Sequence, residues 1–224
     1  MGYILLNILL AAVPAVTLLL FFYFKDIRKR EPPLLVFFAF LLGFFAVFPA
    51  LIIEFIIARL GASFVAPVSL LLRAFVIAGL VEEGVKLIVV RAFLYPRKAF
   101  DEVVDGMVYT ITVSLGFAFF ENILYSFGPP LVLIIRGVTA VPLHAIASGI
   151  LGFHIGLAKS GKPKMMSRGL WIAVLVHGGY DFLLFTSSVF SILVIPILIF
   201  GAWYTLRLYK RAITIDEQEE PTEA

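Results

Sequence analysis

The chain has 224 residues, of which 62% are hydrophobic and only 15% are charged, and it carries a formal net charge of +3. Because soluble domains are nearer half apolar and a quarter charged, this composition indicates a polytopic membrane protein. The basic residues lie in short segments between apolar runs, without a nucleic-acid motif, so nucleic acid is excluded as a partner. The absence of cysteine excludes disulfides and thiolate chemistry.

Seven apolar segments approach or exceed the length of about 20 residues that a membrane-spanning helix needs. In chain order the predicted spans are Tyr3 to Phe24, Pro33 to Ala58, Val68 to Val90, Val103 to Phe127, Leu131 to Ala158, Gly169 to Phe185 and Ser188 to Leu206. The expected fold is therefore all-α, a polytopic transmembrane bundle of about seven or eight helices.

The distribution of positive charge predicts how the bundle is oriented. Most of the 18 Lys and Arg residues fall in alternate connections, "KDIRKRE", "RAFLYPRK", "KSGKPKMMSR" and "RLYKR". The positive-inside rule then places the N-terminus outside and the C-terminus in the cytoplasm. We expect residues 1–208 to form a single transmembrane domain and residues 209–224, which end in "DEQEEPTEA", to form a disordered acidic tail in the cytoplasm.

Ionisable side chains within the spans indicate where the function lies, because such groups are costly in hydrocarbon and usually face a protein interior or a water-filled cavity. They are Glu54, Arg73, Glu82, Glu83, Lys86, Asp105, Glu121, Arg136, His144, His154, His177 and Asp181.

The third span carries two glutamates and a lysine in the stretch "GLVEEGVKLIVV". Lys86 follows Glu82 by four residues and Glu83 by three, so both pairs share a helix face. One lysine neutralises one carboxylate, and two close carboxylates in a low dielectric cannot both ionise cheaply, so one should hold its proton or bind a proton more tightly than usual. A carboxylate that binds a proton more tightly than usual suits a general base. The alternative is an ion pair that only fixes helix packing.

The fourth and fifth spans add further candidates. "GFAFFENILY" contains Glu121 and Asn122, which either act in a site or make a packing hydrogen bond. Arg136 and His144 are eight residues apart and share a face, and Pro142 permits a local break in their helix. His144 either belongs to the site or makes a helix–helix hydrogen bond.

The sixth span contains "VHGGYDF", in which His177 and Asp181 are four residues apart on one face. Asp181 could orient the imidazole, bind a metal with it or bind a substrate, and the two glycines permit close approach of another backbone. At ~1.5 Å per residue, Glu82 and His177 lie at similar depths, whereas Glu121 lies towards the outer side.

"EEGVK", "DEVVDGMVYTITVSLGFAFFENILY", "HAIASGILG" and "HGGYD" follow one another in an order that resembles the PrsW family of membrane proteases. The resemblance covers roughly Val81 to Asp181. The family is also similar to the CAAX-processing protease superfamily and to a scaffold subunit of γ-secretase. The resemblance implies an intramembrane peptidase that cuts a membrane-anchored protein such as an anti-sigma factor. The lack of targeting features in the sequence suits a prokaryotic plasma membrane.

The same resemblance implies roles for individual residues. Glu82 would activate water with the help of Glu83, and His177, aided by His144, would stabilise the oxyanion. An anionic aspartate cannot donate to an oxyanion, so Asp181 would orient His177 instead. The expected supporting residues are Lys86, Glu121, Asn122, Arg136 and Asp181.

Other interpretations of the same residues remain open. Glu83, Glu121, His144 and His177 are of the types that bind zinc, although no HExxH sequence is present. We favour metal-free glutamate catalysis and expect no cofactor, with zinc as the alternative. A proton or ion transporter and a membrane scaffold would use the same residues without catalysis. The expected partners are a membrane-anchored protein substrate and the lipid bilayer.

Overall fold

The computed structural model describes residues 2–25, 29–61, 64–187 and 189–219, with side chains from residue 5 onward. Within these residues the chain is helical and contains no β-strand. The α-helices are α1 (Gly2–Lys25), α2 (Pro33–Leu60), α3 (Val68–Leu71), α4 (Glu83–Val89), α5 (Val103–Tyr125), α6 (Pro130–Val138), α7 (Ala140–Lys159), α8 (Lys164–Phe185) and α9 (Val194–Glu219). Two π-helical segments, Leu72–Glu82 and Val90–Leu94, join α3 and α4 into one helical stretch over residues 68–94, and a 3₁₀ turn, Val189–Leu193, precedes α9.

The predicted membrane-spanning helical bundle is confirmed. Among the described residues, five stretches are long and apolar enough to span a membrane, namely Leu5–Lys25, Pro33–Leu60, Val103–Tyr125, Pro130–Lys159 and Val189–Glu219. They match five of the seven predicted spans. The third and sixth predicted spans are also helical, but their charged side chains make them less apolar. These two segments carry much of the candidate site.

Helix α5 lies at the centre of the bundle, since 89% of its apolar stretch is buried, against 22% in α1. It packs closely against α7 through glycines. A Cβ atom on Gly106 would lie 2.4 Å from the carbonyl oxygen of Gly152 and 2.6 Å from the nitrogen of Gly156. Small residues at such positions let two membrane helices approach closely.

The fifth predicted span is two helices, because the chain breaks at Thr139 between α6 and α7. Thr139 has φ −124° and ψ −64°, outside the helical range. Pro142 has no N–H to bond the carbonyl of Val138, and the Thr139 hydroxyl donates to the carbonyl of Ile135 at 2.7 Å. The break therefore lies one turn before the proline, and it redirects α7.

The sequence prediction of a disordered tail from residue 209 is wrong over residues 209–219. Helix α9 continues to Glu219, and Tyr209 is buried in the main core. Asp216 is also buried and accepts the N–H groups of Val103 at 2.7 Å and Val104 at 3.0 Å. These N–H groups have no partner within α5, so the carboxylate caps that helix and orders the end of α9. The predicted tail beyond residue 219 lies outside the described residues.

Candidate active site

A widened helix places the first cluster of charges. The π-helical segment Leu72–Glu82 runs for 11 residues, although π-helices are usually single turns and often mark functional sites. It packs against α8 at Gly178, where a Cβ atom would lie 2.5 Å from Cδ1 of Phe75 and 3.0 Å from the carbonyl oxygen of Ala74. This close approach brings His177 of α8 beside the glutamates.

Glu83 is completely buried and joins three helices. It accepts hydrogen bonds from Lys86 Nζ at 2.8 Å and from Ser148 Oγ of α7 at 3.1 Å. Its Oε1 also lies 2.9 Å from His177 Nδ1 of α8. With both oxygens engaged, Glu83 is arranged to hold the other groups in position, whereas the sequence interpretation gave it a part in activating water.

Glu82 is held more loosely and is 8% exposed. Its Oε2 lies 3.3 Å from Lys86 Nζ, 3.9 Å from His144 Nδ1 and 3.9 Å from His177 Nε2. These distances leave the carboxylate close to both histidines without a short hydrogen bond to either. Of the two adjacent glutamates, Glu82 is the one that lines a cavity.

His144 is held by a chain of polar groups that comes from α5 and α6. Its Nε2 lies 3.0 Å from Glu121, which in turn pairs with Arg136 at 2.8 Å. Arg136 also donates through Nε to Asn122 at 2.7 Å. On the other side of the ring, His144 Nδ1 lies 3.0 Å from Lys86 Nζ. The structure thus brings Glu121 and Arg136 to the cluster.

His177 faces His144 edge-on, with ring centroids 5.0 Å apart. Its Nε2 lies 3.3 Å from Asp181, one turn further along α8. Each histidine has a carboxylate at the ring nitrogen that does not face Glu82. Glu83 lies at Nδ1 of His177, and Glu121 lies at Nε2 of His144. A carboxylate in that position fixes the tautomer and orientation of an imidazole.

Glu82, His144 and His177 fit a metal ion in residue type and spacing. Each offers one ligand atom, and these atoms lie within 4.8 Å of one another. Two histidines and a glutamate are a known catalytic zinc set, and histidine ligands normally have a carboxylate or carbonyl behind them. Binding at His144 Nδ1 requires Lys86 Nζ, now 3.0 Å away, to move aside.

This trio differs from the zinc set expected from the sequence. Glu83 and Glu121 lie behind the histidines, and Glu82 takes the position between them. Sequence spacing could not decide which of the two adjacent glutamates lies between the histidines, because that depends on how α8 packs against the π-helical segment.

The trio lines a cavity of about 280 Å³ between α2, the π-helical segment, α5, α6, α7 and α8. Charged and polar groups from each of these elements face it: Glu54, Arg73, Glu82, Glu121, Arg136, His144, His177 and Asp181. Such a space, polar on its walls and enclosed by membrane helices, can hold water and a short stretch of polypeptide.

Two ionisable groups noted in the sequence lie outside this cluster. His154 Nδ1 lies 2.8 Å from the carbonyl of Ile150 in its own helix. Asp105 accepts backbone N–H groups at the start of α5. Conversely, the sequence interpretation omitted Ser148, which follows His144 by four residues and shares its helix face.

Comparison with known proteins extends the likeness to most of the chain. A family model described as PrsW family intramembrane metalloprotease matches residues 31–205. This chain belongs to the PrsW family. It is 34% identical over 211 residues to Protease PrsW of Bacillus subtilis (strain 168). The alignment covers 91% of this chain and 94% of that protein. No solved structure matches the chain.

Two further PrsW relatives show the same extent of similarity. Protease PrsW of Geobacillus kaustophilus (strain HTA426) is 38% identical over 204 residues, covering 89% of this chain and 88% of the relative. Protease PrsW of Clostridioides difficile (strain 630) is 30% identical over 205 residues, covering 87% of this chain and 86% of the relative. The chain is accordingly a multi-pass membrane protein and a membrane protease.

Proposed function

We propose that Glu82, His144 and His177 form the catalytic centre of a peptidase that hydrolyses a peptide bond in a membrane-anchored protein. The observation that carries this proposal is the convergence of three ligand atoms within 4.8 Å of one another in a cavity enclosed by membrane helices. The carboxylate behind each histidine supports it, since catalytic imidazoles need a fixed orientation. The relatives' name, Protease PrsW, agrees with hydrolysis.

We further propose that the trio holds a divalent metal such as zinc. The family description names a metalloprotease, and the donor set fits in type and spacing. A zinc ion in such a set polarises a carbonyl and makes a bound water a stronger nucleophile. This reverses the preference drawn from the sequence, because the sequence could not show that a carboxylate supports each histidine.

The chain's own residues then have distinct tasks. Glu83 holds His177 through Nδ1, so that Nε2 faces Glu82. Glu121 holds His144 through Nε2, so that Nδ1 faces the same carboxylate. Lys86 offsets the negative charge of the glutamate pair. The two imidazoles and Glu82 are thereby fixed before a substrate arrives, which lowers the cost of reaching the transition state.

A metal-free mechanism is a second candidate, and Lys86 favours it. Its ammonium group lies within 3.3 Å of both Glu82 and Glu83 and 3.0 Å from His144 Nδ1, so a cation already serves this cluster. Here Glu82 would take a proton from water as the water oxygen attacks the scissile carbonyl. His177 would stabilise the oxyanion, and Glu82 would return the proton to the leaving amine.

We propose a membrane-anchored protein such as an anti-sigma factor as the substrate class. The position of the cavity among membrane-spanning helices supports a substrate that reaches it from the bilayer. The family resemblance suggested the anti-sigma factor.

A cleavage assay with purified protein in detergent tests both proposals. Tagged single-span substrates would be incubated with wild type, Glu82→Gln, His177→Ala and the matched control Glu219→Gln, which makes the same change at an exposed position of α9. We expect cleavage by wild type and the control only. Metal analysis of each protein should find a bound metal in wild type, and chelation should abolish cleavage.

Cleavage that survives complete removal of metal but not Glu82→Gln would support the glutamate mechanism instead. A folded wild type that cuts no substrate in a broad panel would contradict the proposed function. Ion flux in liposomes would then test the transporter interpretation.

A further inference from the structure

The cavity that Glu82, His144 and His177 line is called the catalytic cavity below. Glu54 differs from the other carboxylates around it. Glu82 pairs with Lys86, Glu121 with Arg136, and Asp181 with His177. Glu54 lines the same cavity, yet among the described residues it makes no hydrogen bond or ion pair. The reaction proposed above gives it no task.

The surroundings of Glu54 in α2 do not explain its presence. The segment "ALIIEFIIARL" is otherwise apolar up to Arg59, and an ionised carboxylate without a partner is costly in hydrocarbon. The one basic residue of α2 and the one basic residue of the π-helical segment Leu72–Glu82 both contact aromatic rings. Arg59 lies 4.9 Å from the ring centre of Phe55, and Arg73 lies 5.2 Å from that of Phe185. A carboxyl group in this position is cheaper to keep neutral than charged.

Glu54 also lies where three cavities meet. It lines the catalytic cavity, a neighbouring cavity of about 280 Å³ that it shares with Glu82 and Glu121, and a larger one of about 610 Å³ that it shares with Arg73. The larger cavity has mostly apolar walls between α2 and the π-helical segment. A polypeptide in these spaces would pass the Glu54 carboxyl on its way to Glu82, and water could restore a proton to it.

We propose that Glu54 is the general acid that protonates the leaving amine. This inference rests on the proposed peptidase activity. Water attacks the scissile carbonyl and gives up a proton to Glu82, while Glu54 takes over the donation to the amine that the metal-free scheme above gave to Glu82. As the C–N bond breaks, its electron pair goes to nitrogen, which takes the proton of neutral Glu54 and leaves as an amine. The proton removed from water then passes through cavity water to the Glu54 carboxylate, so that each turnover adds one water across the amide.

The choice of leaving group separates proton donation from a structural role. A peptide amide needs a proton on nitrogen before the C–N bond breaks, whereas an aryl ester releases a phenolate that needs none. We would measure cleavage of a tagged single-span substrate and of the same sequence with an aryl ester at the scissile position. The proteins compared are wild type, Glu54→Gln, Glu54→Asp and the control Glu219→Gln.

We expect Glu54→Gln to lose roughly 10²-fold or more in amide cleavage, as is usual when a general acid is removed, while ester cleavage falls by less than about 5-fold. Glu54→Asp keeps a carboxyl group and should retain an intermediate rate on the amide, and Glu219→Gln should match wild type. Thermal unfolding and bound metal should be unchanged in all variants.

Equal losses on both substrates, or an unchanged amide rate in Glu54→Gln, would overturn the general-acid role. If Glu54→Gln does not fold, Glu54→Asp decides, because an amide-to-ester rate ratio equal to that of wild type contradicts the proposal. A wild type that cleaves neither substrate overturns the proposed function itself, whereas an active wild type with unaffected Glu54 variants overturns only this inference.

Discussion

At the scale of single residues, Glu83 connects α4, α7 and α8 within the cluster. Glu83 is completely buried, and its carboxylate oxygens lie 2.8–3.1 Å from Lys86 Nζ, His177 Nδ1 and Ser148 Oγ. We predict that Glu83→Gln lowers the free energy of unfolding by about 3–5 kcal/mol, because it removes one partner of a buried ion pair. Cleavage should be lost as well, since His177 is no longer held.

Ser148→Ala is the matched control, because it removes only the hydroxyl that donates to the same carboxylate. It should cost about 1 kcal/mol, the usual contribution of one hydrogen bond, and leave most of the activity. Thermal unfolding in detergent followed by circular dichroism measures both changes. Equal stability of Glu83→Gln and wild type would show that the carboxylate does not hold the cluster.

Arg136 contacts the proposed catalytic centre through Glu121 and His144, and we expect its shape to matter as much as its charge. It contacts Glu121 and Asn122 through different nitrogens, and its guanidinium lies 3.9 Å from the ring centre of Tyr125. Lysine keeps the charge but lacks the planar fork. We predict that Arg136→Lys lowers kcat by about 10–100-fold, as loss of a group that orients a ligand does, with little change in KM.

The control for this substitution is Arg207→Lys on α9, where the guanidinium lies 4.5 Å from the ring centre of Trp203 and outside the catalytic cavity. Steady-state kinetics on one substrate compare the two variants. Equal kcat values for both would indicate that positive charge alone is enough at position 136.

The sequence predicted the contacts that lie within one helix better than those between helices. Spacing predicted that Lys86 meets both glutamates, and the distances are 3.3 Å to Glu82 and 2.8 Å to Glu83. It could not predict that each histidine meets a carboxylate of another helix, because the positions of helices relative to one another are set by packing. Ser148 was overlooked because one hydroxyl in an apolar helix resembles an ordinary packing residue.

At the scale of helices, the contact between α8 and the π-helical segment determines the distance from His177 to the glutamates. Gly178 makes this contact possible, since a Cβ atom there would lie 2.5 Å from Phe75. We predict that Gly178→Ala costs about 1–3 kcal/mol of stability by overpacking and lowers cleavage by displacing His177. The change can be measured by thermal unfolding together with initial rates.

The next residue provides a matched control. A Cβ atom on Gly179 would meet no atom within 4 Å outside its own helix backbone. Gly179→Ala should therefore leave activity unchanged, and stability should stay the same or rise by up to ~1 kcal/mol, since alanine favours a helix. The same loss of activity in both variants would mean that helix flexibility, rather than close packing, is what the glycines provide.

Glu121 belongs to the cluster through His144, although a depth estimate from straight helices placed Glu121 apart from the other groups. That estimate put Glu121 towards the outer side of the membrane, away from Glu82 and His177. In the structure the chain breaks at Thr139, and His144 lies 3.0 Å from Glu121 and 3.9 Å from Glu82. Pro142 predicted that a break was possible, but its direction depends on the packing of α7 against α5.

At the scale of the whole molecule, the end of helix α9 is tied to the start of the central helix α5. Asp216 of α9 accepts the N–H groups of Val103 and Val104, more than 100 residues away in sequence. We predict that Asp216→Ala lowers the free energy of unfolding by at least about 2 kcal/mol, because each buried N–H left without an acceptor costs ~1–3 kcal/mol.

Glu219→Ala at the exposed end of the same helix should leave stability unchanged, and chemical unfolding in detergent compares the two variants. Removal of residues 209–224 should be at least as damaging as Asp216→Ala. A disordered tail would instead allow that deletion at no cost, so full stability of the shortened protein would contradict the docking of α9.

The overall fold class could be predicted because it depends on composition and on the length of apolar segments. The tail was predicted wrongly because acidic composition alone resembles disorder, while Asp216 and Tyr209 are ordered by contacts with distant parts of the chain. The predicted orientation, with the N-terminus outside, rests on the distribution of charge and stays a prediction.

The most direct test of the central claim is cleavage of one single-span substrate in ¹⁸O-labelled water, with the new ends mapped by mass spectrometry. If Glu82, His144 and His177 direct water onto a peptide bond, wild type should produce one new C-terminal carboxylate that carries ¹⁸O. Glu82→Gln and His177→Ala, folded to the same extent, should produce none. Labelled product from Glu82→Gln at the wild-type rate would contradict the claim that this trio is the catalytic centre.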